Sequence, residues 1–155
     1  MYPSASRSAV LGLCLLAGAC AIEMDLPEPF LQLDTPGSWL KATTPDDARL
    51  WVREFADPDQ GSVQFWSEAL KNDLTRNRGY ALVETGEARD QEGREGVRME
   101  FRTTTQGERV GYLVAVFVLP GSSSNTIRVL EFTAREAVFA SHVDAVVVAI
   151  GSLRP

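Results

Sequence analysis

Residues 110–119, VGYLVAVFVL, are apolar at almost every position. A strand with one face in water alternates apolar and polar residues, and this run does not. A nearly continuous apolar run of this length is typical of a central strand that is covered on both faces. A chain that contains such a strand needs other elements packed on each side of its sheet.

Other strands are predicted before and after this run. Val97–Thr103 alternates cleanly, with Val97, Met99 and Phe101 on one face and charged residues on the other, which predicts a sheet with one solvated face. Aromatic and β-branched residues between turn signals predict further strands. These lie at residues 30–33, 49–55, 80–87 and 126–132.

Two helices are predicted, one before the strand at residues 80–87 and one after the strand at residues 126–132. Apolar residues recur at helical spacing within residues 62–77, where Ser62 is a candidate N-cap. The second helix follows Thr133, which with Glu136 has the spacing of a capping box. Two helices flanking a run of consecutive strands predict an α+β fold with an antiparallel sheet.

The N-terminus has the pattern of a secretory signal. Residues 9–19, AVLGLCLLAGA, are an apolar run of about eleven residues, which is too short to span a bilayer and suits a signal peptide. The run ends in Ala17-Gly18-Ala19-Cys20, which resembles the lipobox of bacterial lipoproteins. The resemblance implies cleavage between Ala19 and Cys20 and lipidation of Cys20. The alternatives are an unlipidated signal peptide that ends at a cysteine, or a buried N-terminal helix.

This interpretation divides the chain into three parts. Residues 1–19 are the expected signal peptide, residues 20–29 a tether, and residues 30–155 a single α+β domain. Pro27 and Pro29 favour extended forms, so the tether would reach roughly 35 Å from the membrane. In the sorting pattern of such lipoproteins, Ala21 rather than Asp after the lipidated cysteine implies the periplasmic face of the outer membrane.

Charge and cysteine content exclude some partners and linkages. The formal net charge is -6, which disfavours nucleic-acid binding. The two cysteines, Cys14 and Cys20, both lie in the N-terminal segment, so no disulfide is expected within the domain.

Several residues are candidates for chemistry, and each has an ordinary structural alternative. His142 is the single histidine and has no visible partner for acid–base catalysis, so we expect a helix-surface or half-buried histidine. Asp57-x-Asp59-x-Gly61 opens like a calcium loop, and Glu68 falls at the twelfth position. However, Gly61 and Ser62 stand where such a loop needs an oxygen ligand and a glycine, which favours a turn. The acidic stretch 84–95 is expected to be a solvated hairpin tip, and Trp39, Trp51 and Trp66 either pack in the core or line an apolar groove. No catalytic residue, metal site or cofactor is predicted.

The whole layout resembles the PsbP/Mog1/DcrB-like superfamily of small αβα sandwiches. The resemblance rests on Pro36-Gly37-Ser38-Trp39, on a mid-chain helix that ends in Arg78-Gly79-Tyr80, and on a C-terminal helix that closes on Ala149-Ile150-Gly151-Ser152-Leu153. It implies an accessory protein rather than an enzyme and supplies no catalytic motif.

Two functions therefore remain open. The first is a lipid-anchored, non-catalytic module of the cell envelope that acts by protein contact near the membrane, with an envelope protein complex as a candidate partner. The alternative is a binder or sensor of an apolar small molecule or lipid held between sheet and helices. A pocket lined by the tryptophans would favour the second, and a filled core with an exposed apolar patch would favour the first.

Overall fold

The computed structural model describes residues 21–35 and 39–155. Within them the chain forms seven strands, two α-helices and a π-helical segment, Asp73–Asn77, that continues the first helix. The strands are β1 (Leu31–Leu33), β2 (Leu40–Thr43), β3 (Arg49–Asp57), β4 (Ala81–Arg89), β5 (Glu95–Thr105), β6 (Glu108–Leu119) and β7 (Asn125–Arg135). The helices are α1 (Val63–Asn72) and α2 (Glu136–Ile150).

All seven strands belong to one sheet, in the order β1-β2-β3-β7-β6-β5-β4, and each neighbouring pair is antiparallel. The predicted α+β class with an antiparallel sheet is therefore confirmed. The β3–β7 pairing joins the three strands that precede α1 to the four strands that follow it. It places β1, β2 and β3 at one side of the sheet.

The apolar run that predicts a central strand lies in β6, between β5 and β7. Its alternate residues enter two separate cores: Leu113, Ala115 and Phe117 pack towards α2, and Val114 and Val116 pack towards α1. These side chains are at most 1% exposed. Because helices lie on both faces, the fold is the αβα sandwich that the resemblance implies.

The two helices do not cover equal parts of the sheet. Helix α2 packs on β6 and β7, and α1 packs on β5 and β6. On the α1 side, β1 to β3 therefore carry no helix, and the outward residues of β2 and β3 remain accessible. We call Lys41, Trp51, Arg53 and Phe55 on these strands the open face.

The four-residue strand β2 is absent from the strands that the sequence predicts. Leu40 and Ala42 are each 1% exposed and enter the α2-side core, while Lys41 and Thr43 point to the other side. A strand this short contains only two apolar positions, which is too little alternation to recognise without its partner β3.

The predicted capping box at the start of α2 is wrong. Pairing with β6 extends β7 to Arg135, so Thr133 lies inside a strand and its hydroxyl donates to the Gly111 carbonyl at 3.1 Å. The N-cap position is Arg135, and it makes no side-chain capping hydrogen bond. Glu136 instead pairs with Arg109 at 2.9 Å.

The charged face of β5 is also less solvated than its alternation predicts. The side chains of Arg98 and Glu100 are 16% and 13% exposed. Arg102 pairs with Glu100 at 2.7 Å, and its guanidinium carbon lies 4.9 Å from the centre of the Phe139 ring. Ion pairs beside the start of α2 thus cover a face that was expected to meet water.

The segment expected to be a tether is packed against the domain from Ile22 onward. Ile22 and Met24 are buried in the α2-side core. The backbone of Glu23 exchanges two hydrogen bonds of 3.0 Å with that of Arg154, and the Asp25 amide donates to the Ser152 hydroxyl at 2.8 Å. The described chain thus has no free linker between Ile22 and Phe30.

Phe139 fixes α2 to the sheet, and its loss is expected to be costly. Its ring is fully buried and stacks on Phe132 with centroids 5.0 Å apart. A Cβ on Gly111 would come within 2.2 Å of the same ring, so the contact leaves no spare space. We expect Phe139→Ala to lower the free energy of unfolding by about 3–5 kcal/mol in urea melts, because it leaves a cavity.

The matched control is Val148→Ala on the same helix, since Val148 is 78% exposed. It should change the free energy of unfolding by no more than about 0.5 kcal/mol. A Phe139→Ala protein as stable as this control would show that α2 is not docked through Phe139.

Candidate functional site

An apolar cleft of about 330 Å³ lies between helix α1 and the sheet, beside the open face. One wall is the helix, and the floor is formed by β3, β6 and β7. Asp73 is the one charged residue in its lining. The lining residues are Phe55, Ala56, Trp66, Ala69, Leu70, Asp73, Val116, Ile127 and Val129.

Buried Asp57 fixes the wall of this cleft at the start of α1. Its carboxylate accepts hydrogen bonds from the Gly61 amide at 2.7 Å and from Trp66 Nε1 at 2.9 Å. Ser62 caps the helix by accepting from the Phe65 amide, as its position in the sequence predicts. The loop that resembles a calcium site therefore orients Trp66, and the Asp57 carboxylate binds donors of the protein itself.

The open face combines aromatic rings with cations. Lys41 Nζ lies 5.8 Å from the centre of the Trp51 ring, and the guanidinium carbon of Arg53 lies 5.9 Å from it. The same guanidinium carbon lies 5.7 Å from the centre of the Phe55 ring. Because Phe55 also lines the cleft, the cleft and the open face form one continuous surface.

A polar network holds Arg53 in place. Its Nη2 pairs with Glu131 on the neighbouring strand, and Glu131 also accepts a hydrogen bond from the Tyr112 hydroxyl. Burial and the negative charge of Glu131 raise the pKa of Tyr112 well above its usual range, so the phenol stays protonated and keeps donating. The network sets the position of the guanidinium beside the cleft.

None of the three tryptophans belongs to either buried core. Trp66 lines the cleft, Trp51 lies beside two cations on the open face, and Trp39 precedes β2 with 43% of its surface exposed. The expectation of core packing is therefore wrong for Trp39 and Trp51. Trp66 packs against the core on the α1 side and also lines the cleft, as the groove interpretation expects.

His142 forms a pair with Asp46, Nε2 to Oδ2 at 3.1 Å, and its ring meets Phe30 edge-on. Asp46 also accepts from Thr44, and this hydrogen bond, together with that from His142, lowers the pKa of Asp46. The pair joins the β2–β3 connection to α2. The Thr44 hydroxyl donates to Asp46 rather than to the histidine, so these three side chains do not form a nucleophile–base arrangement.

The acidic stretch is a tight, internally paired hairpin. Strands β4 and β5 extend further than predicted, so the connection is only residues 90–94. Asp90 is buried and accepts from the Glu92 and Arg94 amides and from the Arg94 side chain. In the part of the chain that the structure describes, no three His, Cys, Asp or Glu side chains are grouped so as to hold a metal ion.

Two sequence predictions fall outside the described residues. Ala19 and Cys20 lie in the undescribed N-terminal part. Pro36 to Ser38 of the family-like motif lie in the separate gap at 36–38. Within residues 21–35 and 39–155, neither α-helix is both long and apolar enough to cross a membrane.

Comparisons with known proteins were informative for structure alone. No family model matches the chain, and no curated protein matches its sequence. Among solved structures, LpqN of Mycobacterium tuberculosis, described as involved in cell envelope biogenesis, superposes with a TM-score of 0.70 at 14% identity, covering 86% of this chain and 83% of LpqN.

Two further structures are similar over most of their length. The Saccharomyces cerevisiae Ran-binding protein Mog1p has a TM-score of 0.52 at 15% identity, covering 79% of this chain and 78% of Mog1p. PA94 of Pseudomonas aeruginosa has a TM-score of 0.53 at 16% identity, covering 87% and 83%. At such identities a likeness shows the fold, and the chain has the PsbP/Mog1/DcrB-like fold that its sequence resembles.

Proposed function

We propose that the chain is a lipid-anchored, non-catalytic module of the cell envelope that acts by protein contact close to the membrane. The lipobox-like Ala17-Gly18-Ala19-Cys20 supports the anchor. The fold shared with LpqN, which is involved in cell envelope biogenesis, supports the setting.

The observation that carries the proposal is the docking of the segment that follows Cys20. Ile22 is 4% exposed, and Glu23 is bonded through its backbone to Arg154. Ala21 is then the single residue between the lipidated cysteine and a fixed part of the domain. Such a module would lie against its membrane rather than extend from it on a tether.

This connection also gives the module an orientation. Leu153 accepts a hydrogen bond from the Gln91 amide, so the C-terminus, the docked segment and the 90–94 hairpin lie at one end of the sheet. That end would face the membrane, and the turn at Gln106 would point away. Acyl chains on Cys20 would hold the protein firmly, because two or more chains bind a bilayer stably. Ala21 after Cys20 favours the periplasmic face of the outer membrane.

A contact function, rather than chemistry, is supported by the way the polar side chains are engaged. Asp57 serves Gly61 and Trp66, His142 pairs with Asp46, and Asp90 closes its own turn. These groups hold elements of the fold together. The accessible features are instead the cleft and the open face, which are suited to binding.

We expect Cys20→Ser to abolish membrane retention. The wild-type protein should fractionate with membranes and incorporate labelled palmitate, because the acyl chains on Cys20 supply the attachment. The variant should lose the label and appear in the soluble fraction.

The matched control is Cys14→Ser, which removes a thiol from the same apolar segment and should leave both retention and labelling unchanged. A Cys20→Ser protein that still pellets with membranes, beside a wild type that takes up no palmitate, would contradict the anchor.

A second candidate function is favoured by the cleft itself. A cavity of about 330 Å³ lined almost entirely by apolar side chains is at the lower end of the size range of small-ligand pockets. One acyl chain or a compact apolar molecule suits this volume. We therefore carry the alternative that the module binds an apolar ligand between α1 and the sheet.

Filling the cleft should remove such binding. We expect the neutral amphiphile octaethylene glycol monododecyl ether, below its critical micelle concentration, to shift the fluorescence of the wild-type protein through Trp66. Ala69→Phe places a ring at the mouth of the cleft and should weaken binding by about tenfold or more. Glu68→Phe adds the same ring at the adjacent, exposed position and should bind as the wild type does. Equal binding by both variants would rule out the cleft as the site.

A further inference from the structure

We infer that the cleft and the open face together bind one fatty-acid anion, with its chain in the cleft and its carboxylate at Arg53 and Lys41. This inference rests on the second candidate function and specifies its ligand class. It combines two observations: the apolar lining of the cleft, and the cations that lie beside its Phe55 wall.

The cleft favours a single chain. Its residues from α1, β3, β6 and β7 are aliphatic or aromatic apart from Asp73, whose carboxylate accepts from Asn77 at 3.0 Å and from Arg78 at 2.9 Å. The cleft, at about 330 Å³, is at the lower end of the size range of ligand pockets, and a two-chain phospholipid would need a larger cavity. The lining offers no fixed polar group that would select a head inside the cleft, so a polar head must remain at its mouth.

Arg53 supplies the first contact for an anionic head. Its Nη2 is held by Glu131, its Nε is buried without a partner among the described residues, and its Nη1 makes no hydrogen bond to a described residue. The guanidinium is thus fixed in place with donor capacity left over. A carboxylate is a planar acceptor that suits a fixed guanidinium.

Lys41 supplies the charge that the fold does not neutralise. No carboxylate of the described residues lies within ion-pair distance of its Nζ, whereas Arg49 on the same side of the sheet pairs with Asp47 at 3.0 Å. The charges of Arg53 and Glu131 cancel, so the charge of Lys41 makes the expected position of the head net positive. In a chain of formal charge -6, a cation beside an apolar cleft favours an anionic ligand.

Phe55 makes the two parts one site. Its ring lines the cleft, is 46% exposed, and lies 5.7 Å from the Arg53 guanidinium carbon. A chain that leaves the cleft past Phe55 therefore reaches Arg53 directly. Lys41 lies on the neighbouring strand, opposite Trp51 and 5.8 Å from the centre of its ring. An acidic protein segment or a second copy of the chain would use the face without needing the cleft.

The test uses the protein from Ala21 to Pro155, since both cores lie within residues 22–153. Dodecanoate and octaethylene glycol monododecyl ether share a twelve-carbon chain and differ in head charge. By calorimetry, we expect dodecanoate to bind about tenfold more tightly at low salt, and the preference to shrink at high salt. Lys41→Gln should remove most of this preference while leaving the neutral probe unaffected.

The matched control is Arg49→Gln, which removes a cation from the same side of the sheet and should keep the preference. Arg53→Gln should lower dodecanoate affinity further. Because Arg53 also pairs with Glu131, Lys41→Gln, which breaks no ion pair, decides the test if Arg53→Gln unfolds.

Three results would overturn the inference. Equal affinity for the two probes would mean that the cleft binds an apolar chain but that Arg53 and Lys41 do not bind an anionic head. No binding of either probe would remove the cleft function as well, without touching the membrane anchor. The third result would be a concentration-dependent dimer in sedimentation experiments. If dodecanoate does not dissociate this dimer and Lys41→Gln does, the open face binds a second copy of the chain instead.

Discussion

Strand β6 has no face that tolerates water, and the rest of the fold follows from that requirement. Its consecutive residues Leu113 and Val114 point to opposite faces and are both fully buried, one in each core. A helix must therefore lie on each side of it, and one seven-stranded sheet is too wide for a single helix to cover. Because α1 lies over β5 and β6, no helix covers β1–β3 on the α1 side of the sheet. The cleft forms where that coverage ends.

The sequence predicts what local periodicity encodes. The apolar run of β6, the alternation of β5 and the helical spacing in α1 and α2 are all found in the structure. What it cannot predict depends on distant partners. Strand β2 is recognisable only beside β3, and pairing with β6 carries β7 past Thr133. Arginine is almost never fully buried unless it is paired. Arg128 of β7 is 1% exposed because Glu54 on β3 pairs with it at 2.6 Å, which no local pattern indicates.

The candidate site shows the same division. The sequence draws attention to the tryptophans, but it cannot tell that Trp66 would line a cleft or that Trp51 would lie beside both Lys41 and Arg53. Those neighbours come from strand register, which brings Lys41 opposite Trp51. The N-terminal segment is similar: its prolines suggest an extended linker, while its buried Ile22 ties the proposed anchor point to the domain. Anchor, orientation and accessible surface then belong to one geometry.

The most direct test of this account is the distance from each end of the sheet to the membrane. Fluorophores at Glu92 or at Gln106, at opposite ends of β5 and roughly 33 Å apart, would be compared in the protein bearing the acyl chains that we propose for Cys20, reconstituted into vesicles that carry acceptor-labelled headgroups. Because the docked segment leaves no slack after Cys20, we expect strong energy transfer from Glu92 and much weaker transfer from Gln106. Equal transfer from both positions would mean that the domain tumbles on a free tether, which contradicts the account.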